Sequence, residues 1–208
     1  MTFYDFLRGI SYPFIPLIFP TKVYGKENIT HEKAVICCNH LGTTDILLLA
    51  HKMLRHGCYC IGKQELFQNK FSAWFLHKIG AIGVRRGESD IAAVRAGLQV
   101  LKDEHQLVIF PEGTRNTTGT TVIQPFQPGA VMFALKGQSI VIPVTIHAKI
   151  KPFRRSYMMV GEPIDLSSFA ELPSKEGREQ ATQFLFEKMV AQKARLDDIV
   201  DNKKRRKQ

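Results

Sequence analysis

Acidic residues are scarce in this chain: 19 Asp and Glu stand against 29 Lys and Arg over 208 residues, a formal net charge of +10. Such an excess asks for an anionic partner, whether nucleic acid, a membrane surface or a phosphorylated substrate. The chain has no recognition-helix, RNP or zinc-finger pattern to read bases, which argues against nucleic acid. Cysteines are few as well. Cys37, Cys38, Cys58 and Cys60 all lie in apolar runs without the two-residue gaps of structural zinc ligands, and so read as reduced, buried thiols of a cytosolic protein. A membrane span is missing from residues 3–20, where Asp5, Arg8, Pro13 and Pro16 interrupt an aromatic-rich stretch that also lacks the basic start and cleavage site of a signal peptide. There is no Gly-x-Ser-x-Gly elbow, so attack by a substrate hydroxyl is simpler than an acyl-enzyme. No internal repeat or linker divides the chain, and with 44% hydrophobic residues it should build one core.

What is present is an apolar run, a polar elbow and a second apolar run between Val35 and Leu49. This reads as strand, turn and helix, with Thr43 as N-cap and Asp45 in the first helical turn. A carboxylate there is favoured by the helix macrodipole and can accept a hydrogen bond from an imidazole N–H. His40 would be the base and Asp45 its orienter. On one continuous helix the two would point about 140° apart, so the pairing requires His40 to lie in the turn, which Gly42 allows.

The remaining pattern alternates strands and helices. Strands are expected at 21–24, 58–61, 80–87, 106–110, 139–146 and 157–160, with Pro143 marking an edge or a bulge. The helix opened at Thr43 should run to Gly57. Leu66, Phe67, Phe71, Trp74, Phe75 and Ile79 give a broad apolar helix face, by default core-facing, alternatively a wall for a long acyl chain. Ser89 should cap a helix carrying Ile91, Val94, Leu98 and Leu101, and Pro128-Gly129 should open another. A long helix from Lys175 to Val200 turns Ala181, Phe184, Leu185, Met189, Leu196 and Ile199 inward. The block Lys203 to Lys207 should be disordered when free. Residues 1–20 read either as a segment lying among lipid headgroups or as a cap on the core. Together these predict an α/β fold: a single domain at 21–200, with a mainly parallel or mixed sheet flanked by helices, a membrane-associating N-terminal segment at 1–20 and a basic tail at 201–208. Ligands should gather at the carboxyl ends of the strands, where His40, Arg86 and Arg115 can converge.

A histidine positioned by a carboxylate can take a proton from an alcohol at neutral pH. Arginines beside glycines suit phosphate, since the guanidinium donates two hydrogen bonds and glycine lets backbone N–H groups approach. Each feature has a plainer reading: a structural histidine, a solvated Arg85-Arg86 pair, and a turn at Glu112-Gly113-Thr114-Arg115 held by a local ion pair. Cys38 as a nucleophile is disfavoured because an apolar strand raises a thiol pKa, and a metal at His40 and Asp45 lacks a third ligand.

Four blocks in order, Asn39-His40-x-x-x-x-Asp45, Gly83-Val84-Arg85-Arg86-Gly87, Phe110-Pro111-Glu112-Gly113-Thr114-Arg115 and Val141-Ile142-Pro143-Val144, resemble the lysophosphatidic acid acyltransferases of the glycerolipid acyltransferase superfamily. The matches Val23 to Asn28, Lys63 to Leu66 and Gly161 to Ile164 extend the resemblance over residues 23–164. It implies transfer of a fatty acyl group from a coenzyme A or acyl carrier protein thioester to the sn-2 hydroxyl of 1-acylglycerol 3-phosphate, giving phosphatidic acid. The alternative is another lysophospholipid or glycerol 3-phosphate as acceptor. By the same analogy His40 is the general base, Asp45 orients it, Arg86 and Arg115 bind phosphate, and Glu112, Gly113 and Thr114 complete the pocket, with N–H groups around Gly113 as oxyanion or phosphate donors. No metal and no cofactor beyond the thioester co-substrate is implied, and the place of work is peripheral, at the cytoplasmic face of an anionic membrane. Two departures stand out: Gly42 replaces the frequent Ser, and Phe126-Gln127-Pro128-Gly129 replaces Phe-Lys-x-Gly, which puts one basic contact in doubt.

Overall fold

Strand β2, Ala34–Cys38, is buried along its whole length and explains the layering. Ala34, Ile36 and Cys38 join one apolar cluster and Val35 and Cys37 the other, so successive side chains feed opposite faces of a sheet covered on both sides. The computed structural model describes residues 2–85 and 90–205. The chain order is α1 Phe3–Ser11, α2 Ile15–Ile18, β1 Thr21–Tyr24, β2, α3 Thr44–Lys52, β3 Ile61–Lys63, α4 Lys70–Ile79, β4 Ile82–Val84, α5 Ile91–Lys102, β5 Gln106–Ile109, α6 Gly129–Lys136, β6 Ile140–Ile146, β7 Ser156–Val160 and α7 Ser174–Arg205.

The sheet order is β1-β7-β6-β2-β5. β2 pairs parallel with both β5 and β6, while β7 is antiparallel to β6 and parallel to β1, so the sheet is mixed. β3 and β4 form a parallel pair joined to the β5 side by a parallel bridge between Cys60 and Val108. Leu48 and Leu49 of α3, with Tyr4 of α1, cover one face; α5, α6 and α7 cover the other through Leu101, Ala134 and Leu185.

Several expectations are corrected. Pro143 lies in an interior strand, paired with Cys37 of β2. Its carbonyl accepts from Gly161 at 2.8 Å, one residue beyond the end of β7. The N–H that proline lacks would point to that same side, where β7 has ended, so the missing return bond falls at the last position of the β6–β7 pairing and not within it. Helix α3 ends at Lys52, short of Gly57; the Leu54 N–H bonds back to Leu49, and the Tyr4 hydroxyl lies 3.1 Å from the carbonyls of both Ala50 and Leu54. The chain thereby leaves the helix with Met53 and Leu54 buried. Thr43 occupies the N-cap position without a side-chain bond. The third strand begins at Ile61, not at Cys58. Asp90 caps α5 by accepting from Ala93 N–H at 3.0 Å; Ser89, the expected cap, lies outside the described residues, as do Gly87, Arg206 and Lys207. No residue of α4 is fully buried: Ile79 packs against the core while Phe71 and Trp74 stand exposed, so the core-facing reading of that helix holds only in part. On α7, Val200 is buried in the register given to Ile199, and the helix carries Lys203 to Arg205 of the basic block in ordered form.

Candidate active site

The carboxyl end of β2 delivers Asn39 and His40 into the elbow before α3. Asn39 is fully buried and makes two bonds to the main chain of Ile146 at the end of β6: its Oδ1 accepts from the N–H at 2.7 Å and its Nδ2 donates to the carbonyl at 3.1 Å. The pair locks the elbow to the neighbouring strand. His40 is then held at both ends of its own main chain, the N–H donating to Glu112 Oε1 at 2.7 Å and the carbonyl accepting from Asn116 N–H at 2.8 Å. Its ring stacks on Phe110 with centroids 4.0 Å apart.

His40 Nδ1 lies 3.0 Å from Asp45 Oδ2. The same oxygen accepts from the N–H groups of Leu41 at 2.7 Å and Gly42 at 2.8 Å. Asp45 thus reaches back from the first turn of α3 and binds the N–H groups of the elbow that leads into it. Its carboxylate is fully buried, and Oδ1 has no partner among the described residues. A carboxylate accepts only, so Nδ1 carries the proton of this contact, and in the neutral ring Nε2 is the nitrogen with the lone pair. His40 keeps 15% side-chain exposure, enough for a substrate to reach that nitrogen.

Glu112, at the elbow after β5, is buried and bridges: Oε1 accepts from His40 N–H and Oε2 from Gln124 N–H at 2.9 Å. Burial pushes its carboxyl above the ordinary glutamate range, against the two backbone donors, which favour the ionised form. Gly113 has a left-handed backbone, φ 70°, and a Cβ there would sit 3.2 Å from Gln127 Cγ. Its N–H donates to Phe110 O at 3.0 Å, so of the N–H groups around Gly113 its own is engaged within the turn. Thr114 and Arg115 are exposed, and the guanidinium of Arg115 makes no hydrogen bond or ion pair among the described residues. Arg86 lies outside the described residues. Its neighbour Arg85 donates its N–H to Asp90 Oδ2 at 3.1 Å.

Cys38 is fully buried and its thiol is pushed far up by burial, with Asp45 and Glu112 adding to the effect. A thiol held protonated in this way cannot serve as nucleophile. Gly42 does not adopt a left-handed backbone, so the elbow does not require glycine. A Cβ there meets Lys149 Cε at 3.5 Å and Thr44 Oγ1 at 3.7 Å, ordinary contacts. Gly42→Ser is therefore expected to fold normally and keep kcat/KM within about threefold of the parent, a change of roughly 0.6 kcal/mol. A steady-state comparison with thermal unfolding checks this, and a loss beyond tenfold would mean the glycine is needed.

Two polar groups escaped the sequence reading. Asn116 is buried and organises the loop behind Arg115, its Nδ2 donating to Val122 O at 2.7 Å and its Oδ1 accepting from Thr118 N–H at 3.0 Å. An Asn followed by Thr-Thr-Gly is the composition of such an Asx turn. On the α7 side of the same sheet end, His147 Nδ1 lies 2.7 Å from Asp197, which also pairs with the buried Lys193. That group ties α7 to the end of β6; nothing in the local sequence announced it, because His147 stands 50 positions from Asp197.

The sequence profile described as Acyltransferase matches residues 20–147. The 1-acyl-sn-glycerol-3-phosphate acyltransferase of Bacillus subtilis is 32% identical over 184 residues, covering 86% of this chain and 90% of that protein. The enzyme of the same name from Saccharomyces cerevisiae is 32% identical over 128 residues, covering 60% of this chain and 42% of that protein. Among solved structures, the 1-acyl-sn-glycerophosphate acyltransferase of Thermotoga maritima superposes with a TM-score of 0.66 at 23% identity, covering 92% of this chain and 78% of the other, a likeness of fold.

Proposed function

Because the chain belongs to the acyltransferase family, and its relatives are 1-acylglycerol-3-phosphate O-acyltransferases, we propose that it acylates the sn-2 hydroxyl of 1-acylglycerol 3-phosphate from an acyl thioester. The observation that carries this reading is the His40–Asp45 pair, with Nδ1 committed to the carboxylate and Nε2 open. Nε2 takes the proton of the acceptor hydroxyl as its oxygen attacks the thioester carbonyl. The tetrahedral intermediate collapses with cleavage of the C–S bond, and the departing thiolate recovers the proton from Nε2, leaving a free thiol and phosphatidic acid. Asp45 stabilises the imidazolium between the two transfers.

Arg115, exposed and without an ion pair among the described residues, suits the acceptor's phosphate, and Arg86 is assigned the same role on its motif position. Glu112 positions the His40 main chain, while Gly113 and Thr114 shape the pocket rim. The acyl donor is coenzyme A or acyl carrier protein. Residues 1–20 serve as a membrane-associating segment on the domain at 21–200, with 201–208 as a basic tail, and the work is done at the cytoplasmic face. In support, α1 and α2 bury Tyr4 and Ile15 against the body while Phe6, Ile10, Phe14 and Leu17 remain exposed. No helix among the described residues is long and apolar enough to cross a membrane.

The test is a competition. Purified protein receives lysophosphatidic acid, a second lysophospholipid and glycerol 3-phosphate together, with acyl-coenzyme A and acyl carrier protein donors in separate reactions, and products are read by mass spectrometry. Phosphatidic acid should dominate. A product built on another acceptor would overturn the substrate assignment and leave the acyltransferase.

A further inference from the structure

We propose that α4 is a second lipid-contacting element, laying its exposed side on an anionic bilayer next to the N-terminal segment; this rests on the reading that the chain works at a lipid surface. The helix is firmly defined. Asn69 caps it through Oδ1, which accepts from Phe71 N–H at 2.9 Å and Ser72 N–H at 3.4 Å, and Gly80 ends it with a left-handed backbone. Its solvent face is therefore fixed: Lys70, Phe71, Trp74, His77 and Lys78 are exposed, an arc of about 120° by the helical repeat. Phe71 is 73% exposed and Trp74 48%, a large apolar area for a helix none of whose residues is buried.

The patch continues into the N-terminal segment. Phe3 of α1 packs edge-on against Trp74 at 5.4 Å and against Phe75 at 6.2 Å, and from there Phe6 and Ile10 carry exposed apolar surface onward. The chemistry of the arc selects a bilayer over a protein. Trp and Phe flanked by Lys at both ends is the pattern of a helix lying in the headgroup region, and no acidic residue occurs between Glu65 and Glu88. Lysines placed so are attracted to an anionic leaflet.

Trp74 is the only tryptophan in the chain, so its fluorescence reports this helix alone. The intact protein is mixed with phosphatidylcholine vesicles with and without phosphatidylglycerol, and with vesicles of brominated acyl chains. Emission should shift to the blue and be quenched by the brominated lipid, more strongly on anionic vesicles and less in high salt. Phe71→Ser should weaken vesicle binding about tenfold. Lys70→Gln and Lys78→Gln should each weaken it about fivefold at low salt. Acyl transfer to a water-soluble short-chain lysophosphatidic acid should be unchanged in all three variants. Vesicle binding by cosedimentation with an unaltered Trp74 signal would overturn the role of α4 while leaving the lipid-surface reading in place. No vesicle binding at all would overturn both. A blue shift that follows protein concentration without lipid would replace the bilayer with a second copy of the chain. Loss of short-chain activity in Phe71→Ser would mean that the face lines the substrate path instead.

Discussion

Replacing His40 by Ala is expected to lower kcat about a hundred- to ten-thousand-fold with KM for the lysophospholipid nearly unchanged. In the proposed mechanism the imidazole acts on the reacting hydroxyl and contributes little to the binding of a phosphate and a tail. Asp45→Asn should approach the same loss by another route. Oδ2 of Asp45 accepts from His40 Nδ1, Leu41 N–H and Gly42 N–H at once, and it does so fully buried. An amide in its place can turn its oxygen to the elbow only by setting its N–H₂ in the buried position of Oδ1, or turn its N–H₂ to the elbow and oppose two donors. Either arrangement costs about 1–3 kcal/mol of stability and releases the ring from the tautomer that leaves Nε2 free. The two residues act as a unit, so the double variant should be little slower than His40→Ala alone. Steady-state kinetics on the two singles and the double, with urea unfolding beside them, separate the roles. Near-full activity in a folded His40→Ala would end the proposed mechanism, and additive losses would mean that Asp45 acts independently of His40.

The elbow was legible in the sequence because its physics is local. An apolar run ending in Asn-His, a break, and a carboxylate in a first helical turn leave few arrangements, and the structure realises the His40–Asp45 pairing they suggest. What sequence could not convey is that Asp45 ties down the elbow's own N–H groups while the helix start keeps no side-chain cap from Thr43. That depends on the Leu41 and Gly42 N–H groups turning toward the helix, which no residue preference signals. Two failures have a shared cause. Phe71 and Trp74 looked like core because hydrophobicity alone cannot separate a face that meets the protein from one that leaves it. Pro143 looked like an edge because pattern does not show where a neighbouring strand ends. The pairing of His147 with Asp197, and the two hydrogen bonds from Asn39 to Ile146, depend on the strand order of the sheet, which local pattern does not contain.

Glu112→Gln should lower kcat about a hundredfold, although the side chain need not touch substrate. Its two oxygens hold two different segments, the His40 main chain at 2.7 Å and Gln124 at 2.9 Å. Glutamine keeps one acceptor and turns an N–H₂ against the other backbone donor, leaving that donor buried and opposed. The expected cost is about 1–3 kcal/mol, or roughly 1 M in urea midpoint. Since His40 is held from its N–H side only by this carboxylate, the ring should lose registration with the acceptor hydroxyl, and kcat should fall more than KM rises. The pH dependence separates this from a generic packing defect. Burial raises the Glu112 carboxyl above its unfolded value, so between the two the folded state binds more protons than the unfolded one. Its contribution to stability is therefore complete below the unfolded carboxyl pKa, about 4.3, and declines as pH rises through the raised folded value. The protonated acid can still accept through its hydroxyl oxygen, which an amide nitrogen cannot do. The stability gap between the parent and Glu112→Gln should thus be widest at acid pH and narrow toward neutrality. Urea unfolding of both proteins across that range reads the gap directly. A gap that is constant or widens with pH would show that Glu112 is not held up by burial, and retention of full kcat would remove it from the positioning of His40.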